Sequence, residues 1–241
     1  MTPPFPASYG AVNRAADARM LATMPPTRIV LIHGAATTAA IWQGVRASLT
    51  ELFPQVPVVA PQRAYSGDLA TEVDALATIC ADAVVVGVSG GATLGLALLA
   101  AGVPLAGAVL HEPAVGSLVP GLLAPVAAAY ASGGVTAFGS ALYGPAWTAA
   151  MAPADPDAVR RDLAMFRAFE PSGLPALPET ALTTLGARSP AVRHEAARAL
   201  RSHCGLPYQI IDGCGHAAHL ERPEALASLA GQLALSSPAP S

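Results

Sequence analysis

The stretch VVVGVSGGAT, residues 84–93, passes from a continuous β-branched run to a glycine-flanked serine and then to small, helix-compatible residues. An apolar run without polar alternation suits a strand buried on both faces, as in a parallel sheet. Gly87-Val88-Ser89-Gly90-Gly91 then falls at a strand-to-helix junction. Glycines two before and two after the serine let strand and helix approach closely around a strained turn that points Oγ out of the sheet. The N-terminus of the following helix favours negative charge there. Ser89 is therefore a candidate nucleophile. The competing reading is a Gly-rich turn with a capping serine, and the rest of the chain decides between the two.

Outward from this stretch, β-branched runs alternate with Ala/Leu-rich helical patterns. RIVLIHG (28–34), VPVVAPQ (56–62), AVVVGV (83–88), LAGAVLHEP (105–113), ALTTLGARSP (181–190) and PYQIIDGCGH (207–216) read as strands. Helices are expected over 39–52, 68–80 with Asp68 as N-cap, 90–101, 191–203 and 223–234. The pattern predicts an α/β fold: a mostly parallel central sheet with helices on both faces. Residues 114–180 break the rhythm, with a helical piece over 157–169. They read as a small helical cap inserted between the fourth and fifth strands, lying over the strands' C-terminal ends. The expected organisation is an N-terminal leader (1–27), an α/β core (28–113 and 181–236), the cap (114–180) and a flexible tail (237–241).

Composition narrows the class. The chain has 241 residues, of which 53% are hydrophobic and 12% charged, enough apolar material for one large core. A net charge of −3 without a basic run argues against nucleic acid or an anionic membrane as partner. No stretch is apolar for the ~18 residues of a membrane span, and the N-terminus lacks the pattern of a signal peptide. Cys80, Cys204 and Cys214 form an odd set without C-x-x-C spacing, as expected for reduced thiols in a cytoplasmic protein. Oligomeric state leaves no trace in the sequence.

Two further features carry chemistry. His33-Gly34-Ala35 closes the first strand, where a loop can supply a backbone N–H to an oxyanion hole; Gly34 or Ala35 is the candidate donor, and Gly90, after the serine, is the second. Each such donor is worth about 3 kcal/mol of transition-state stabilisation. His33 is expected to orient that loop. GCGHAAH (213–219) follows the last strand and offers His216 as general base, with His219, leading into the last helix, as a rival. The pair lacks a third ligand nearby, so no metal and no cofactor are expected.

These three features in this order resemble the α/β-hydrolase superfamily over residues 28–235. The resemblance implies a Ser–acid–His triad. In most relatives the acid follows the strand that here is ALTTLG, but this chain continues ARSP, with Ser189 in place of an aspartate. Glu195 lies inside the next helix, and Asp212 lies on the His strand itself. Glu112, in VLHEP at the end of the strand after the elbow helix, fits better. Within the superfamily the chain is similar to zearalenone-lactonase-type hydrolases, which use Ser–Glu–His and a CHE segment where this chain reads LHEP. That resemblance implies Glu112 as the acid.

The expected function is cleavage of a carboxylic ester or lactone of a fairly apolar small molecule by Ser89, Glu112 and His216; the resemblance implies a zearalenone-type lactone as one such substrate. Trp147, Tyr143 and Phe166 are the candidate substrate contacts among the cap aromatics. Alternatives on the same fold are a C–C bond hydrolase, a hydroxynitrile lyase, a cofactor-free dioxygenase, or a non-catalytic ligand-binding receptor.

Overall fold

A computed structural model describes residues 27–171, 177–178 and 180–236. The expected leader, up to residue 26, and the tail lie outside the described residues. In chain order the elements are β1 (Ile29–Ile32), α1 (Gln43–Leu52), β2 (Val58–Val59), α2 (Leu69–Cys80), β3 (Val84–Val88), α3 (Gly90–Ala100), β4 (Gly107–His111), α4 (Ala124–Tyr143), α5 (Ala158–Ala168), β5 (Ala181–Gly186), α6 (Ala191–Cys204), β6 (Tyr208–Ile211), α7 (Ala218–Glu221) and α8 (Pro223–Ser236).

The strands form one parallel sheet in the order β2-β1-β3-β4-β5-β6. Strand order reverses between β1 and β3, which is where open α/β sheets leave a crevice beyond the strands' carboxyl ends. The Ser89 turn leaves β3 and the His33-Gly34 loop leaves β1 on either side of that crevice. Side chains alternate across the sheet as a strand requires. Val30, Ile32 and Val85 pack on one face; Ile29, Leu31, Val84, Val86 and Val88 pack on the other.

Strands are shorter than the apolar runs that encode them. β2 is only two residues because Pro57 and Pro61 bracket it and neither has an N–H for the ladder. It is tolerated because β2 is an edge strand. The helix expected over 39–52 begins as a 3-10 turn, Ala39–Trp42, before α1. α2 starts as expected: the Asp68 carboxylate accepts from Thr71 N at 2.8 Å.

The segment between β4 and β5 forms a helical layer over the strand ends. α4 breaks at Gly133 and Gly134, the latter at φ +60°. α5 buries Val159, Asp162, Leu163 and Phe166 against the core. Among the described residues no helix is long and apolar enough to cross a membrane. The three cysteines are free thiols.

Candidate active site

Ser89 joins β3 to α3 with φ +58° and ψ −122°, a backbone state that costs a non-glycine residue about 1–3 kcal/mol. The surroundings hold it there. Ser89 N donates to His111 O at 2.8 Å. A Cβ on Gly91 would run into the Ile32 carbonyl, and one on Gly87 into the Gly91 backbone. The glycine spacing in the sequence is thus a packing requirement of the turn.

Glu112 is the first residue beyond β4 and also has positive φ, +49°. It is 4% exposed, and its carboxylate gathers donors. Oε2 accepts from His216 Nδ1 at 2.7 Å. Oε1 accepts from Gly186 N at 3.0 Å and from the Ser189 hydroxyl. Arg193 Nε stands 3.6 Å from Oε2, and Arg193 Nη1 donates to the Glu112 carbonyl at 3.2 Å. Burial by itself raises the Glu112 pKa; the hydrogen bond and charge of His216, with His111 and Arg193, outweigh it and hold the carboxyl well below the usual range. His216 moves the other way from its ordinary value, down to about 4, through burial and the nearby Arg193 charge, against the pull of Glu112. At neutral pH the pair is a carboxylate and a neutral imidazole. Nδ1–H donates to Glu112, which leaves Nε2 as the lone-pair nitrogen. That atom is buried and has no partner among the described residues.

The rival groups lie elsewhere. Asp212 and Glu195 are exposed. His219 is buried beneath Tyr143 and against Trp42, with its pKa lowered by burial to about 3. His111 bonds Thr184 Oγ1 at 3.0 Å and the Gly215 carbonyl at 3.2 Å, so it braces the loop that carries His216. His33 accepts from Arg63 N at Nε2 and therefore carries its proton at Nδ1, which donates to Gly34 O at 3.1 Å.

Ser89, Ala35 and Gly90 line one narrow cavity with Leu123, Val126, Phe138, Leu142, Leu163 and Phe166. Ala35, rather than Gly34, reaches this wall. The position a Gly34 Cβ would take is 2.7 Å from the Tyr143 hydroxyl and 2.9 Å from Val88 O. A wider outer cleft is lined by His216, Tyr143, Arg188, Ser189 and Pro145. Glu112, Val126, Leu142 and Arg193 border both spaces. Of the three expected contacts, Phe166 lies on the inner cavity and Tyr143 on the outer cleft. Trp147 stands apart. It lines neither space, is 5% exposed, packs over Gly139 and donates from Nε1 to Ala36 O at 2.8 Å. Among the described residues no group of three His, Cys, Asp or Glu is placed to hold a metal ion.

The model of the alpha/beta hydrolase family matches residues 29–229, which span both β1 and the histidine loop. The chain belongs to the alpha/beta hydrolase family. No curated protein matches it. Solved structures with the same fold include a lipase-esterase related protein from Clostridium acetobutylicum (10% identity, covering 86% of this chain and 93% of that one, TM-score 0.66). A pyrethroid hydrolase from Sphingobium faniae is similar at 15% identity (87% and 98% covered, TM-score 0.63). The RedJ thioesterase of prodiginine biosynthesis in Streptomyces coelicolor is similar at 17% identity (88% and 92% covered, TM-score 0.59). Identities this low carry the fold and leave chemistry to the residues.

Among alpha/beta hydrolase residues not foreseen in the sequence, Arg193 and Arg63 stand out. Arg193 is buried in the first turn of α6, with Nε 3.6 Å from the same Glu112 oxygen that His216 binds. An arginine on the inward face of a helix opening just after Ser189-Pro190 is the available signal. Arg63 is 3% exposed and binds Asp162 of α5 through two bonds, 2.7 and 3.0 Å, and Glu72 of α2 at 3.1 Å. Its guanidinium lies over Phe166, 5.4 Å from the ring centre. This couples the inner cavity wall to a cap–core ion cluster.

Proposed function

We propose that the chain is a serine hydrolase of carboxylic esters, lactones included, working through an acyl-enzyme. The observation that carries this reading is the 2.7 Å His216–Glu112 bond, which leaves His216 Nε2 buried and without a hydrogen-bond partner among the described residues. Ser89 Oγ bonds to the substrate carbonyl carbon while His216 Nε2 takes the Ser89 proton. The carbonyl oxygen becomes an oxyanion facing Ala35 N–H and Gly90 N–H. Collapse breaks the bond to the alcohol, which leaves with the proton from His216. Water then gives a proton to His216 and attacks the acyl carbon; Ser89 leaves as its alkoxide, regains the proton, and a carboxylic acid is released. Glu112 holds the imidazole tautomer and offsets its transient positive charge.

The apolar inner cavity suits the acyl group, and the larger, more polar outer cleft suits the alcohol portion. Walls that are mostly Ala, Leu, Val and Phe, with Thr93, Glu112 and Arg193 at their polar end, favour an uncharged acyl chain or lactone ring. The similarity to lactonases in the LHEP segment supports including lactones, zearalenone-type ones among them, in the substrate panel. The test is turnover of p-nitrophenyl esters of graded acyl length and of lactones, with a fluorophosphonate probe mapped by mass spectrometry. Turnover lost in Ser89→Ala, with the adduct on Ser89, is the expected result. Turnover unchanged in Ser89→Ala overturns the reading.

A further inference from the structure

Four successive carbonyls of the loop after β1 each accept a side-chain hydrogen bond. Gly34 O receives Thr37 Oγ1 at 3.0 Å as well as His33 Nδ1. Ala35 O receives the Tyr143 hydroxyl at 2.8 Å. Ala36 O receives Trp147 Nε1 at 2.8 Å. Thr37 O receives the Tyr65 hydroxyl at 2.7 Å, itself held by Gln62 Nε2 at 2.7 Å. Ala36 sits at φ +56° in the middle of this run, a state an alanine keeps only when its peptides are held on both sides. The two donors that flank it come from the cap, more than a hundred residues along the chain. The Tyr143 ring also lies 5.7 Å from the His216 ring at 33°.

We propose that Tyr143 and Trp147 are positioning residues that set the oxyanion donor of Ala35, so that the oxyanion hole is complete only while the cap is docked. This rests on the hydrolase reading above. The Ala35 N–H belongs to the peptide next to the one whose carbonyl Tyr143 holds. A donor preorganised in this way acts on charge that develops only in the transition state, so its loss reduces kcat with little change in KM. The same two bonds connect substrate entry to catalysis. A cap that lifts to admit substrate releases Ala35 O and Ala36 O together, and ester chemistry waits for it to return.

The test uses Trp147→Phe, which keeps an aromatic ring and removes the donor together with part of the indole, and Tyr143→Phe, which removes the hydroxyl alone, as a second variant. Three quantities are measured: kcat and KM on the best ester; affinity for a trifluoromethyl ketone, which forms an oxyanion on Ser89; and affinity for the matching secondary alcohol, which does not. The proposal expects kcat and ketone affinity to fall together by about tenfold in at least one variant, with KM and alcohol affinity within about twofold. Parallel loss of ketone and alcohol affinity marks general loosening of the cap and overturns it, as does unchanged kcat in both variants. Should the wild-type protein form no Ser89 hemiketal and turn over no ester, the hydrolase reading fails first. Should wild type do both while the variants match it, only the positioning role fails.

Discussion

Ser189 donates its hydroxyl hydrogen bond to Glu112 Oε1, so a residue of the loop after β5 holds the carboxylate that follows β4. The two residues lie 77 positions apart and meet because β4 and β5 are paired, His111 against Thr184. Ser189→Ala leaves Oε1 with Gly186 N and removes a buried donor, for a loss of about 1–2 kcal/mol in stability and a several-fold loss in kcat/KM. Ser189→Asp brings a second carboxylate against Glu112, and mutual repulsion keeps one of them protonated at neutral pH. Its expected kcat/KM is below that of Ser189→Ala. In the Glu112→Gln background the same aspartate restores a carboxylate beside residue 112, and partial recovery over Glu112→Gln alone is expected. Steady-state esterase kinetics on the four proteins measure this directly.

Glu112→Gln itself keeps the shape and removes the charge. Imidazole oriented by an amide instead of a carboxylate loses the tautomer that a serine nucleophile needs, and losses of about 10⁴ are known for this exchange in a triad. Asp212→Asn and Glu195→Gln, both at exposed positions, leave kcat unchanged. Loss of turnover in either, with Glu112→Gln active, assigns the acid elsewhere.

The parts of this site legible in the sequence share one property: each is coded locally, at the end of an apolar run. Ser89, Glu112 and His216 each follow a strand, and a strand end is visible from the residues around it. The register Val88↔His111 then sets Ser89 and Glu112 side by side, each with positive φ. Trp147 shows the limit. An indole in an apolar segment reads as a pocket wall, but its Nε1–H needs an acceptor when buried, and that acceptor is a carbonyl 111 residues away. The Arg63–Asp162 pair, 99 residues apart, is hidden for the same reason. The short β2 was readable in principle, since Pro57 and Pro61 announce it.

The acid limb of the rate profile follows from His216. Its pKa lies below the ordinary value, at about 4, so the neutral form required of a general base persists as pH falls until about that value. The expected kcat/KM is flat from neutral pH to about pH 5 and falls as one group titrates below that, at a pH well under the 6.5 of a free imidazole. An acid limb centred near 6.5 contradicts this environment for His216. Arg193→Met removes the positive charge that, after burial, contributes most to the depression, so the limb moves to higher pH while Ser89 stays reactive to the probe.

Stability should fall over a related window. His33, His216 and His219 titrate at about 3, 4 and 3 in the fold but near 6.5 when unfolded. A lowered folded-state value means the unfolded chain binds more protons between these limits, so stability declines as pH drops from about 6.5 towards 4. Glu112 adds its own loss only below the ordinary carboxylate value, because its folded pKa is depressed. Urea midpoints at pH 7 and pH 5 are expected to differ markedly, and His219→Gln, away from the Glu112 bond, should narrow the difference.

The cap is fastened to the core by charge as well as by apolar packing. Arg63 faces Asp162 and Glu72 with all three side chains at most 1% exposed, so two carboxylates share one guanidinium. Burial raises the Asp162 pKa, against the pull of Arg63. Removing the cation is costlier than removing either anion. Arg63→Met strands two buried acids, with an expected loss of about 3–5 kcal/mol by chemical denaturation. Asp162→Asn retains a hydrogen-bonding partner and leaves Glu72 to balance the charge, so its loss should be clearly smaller. Because Arg63 also lies under Phe166 on the inner cavity wall, Arg63→Met should raise KM for the longer acyl chains more than for acetate esters. Equal KM changes across the acyl series would mean the ion cluster holds the cap without shaping the acyl site.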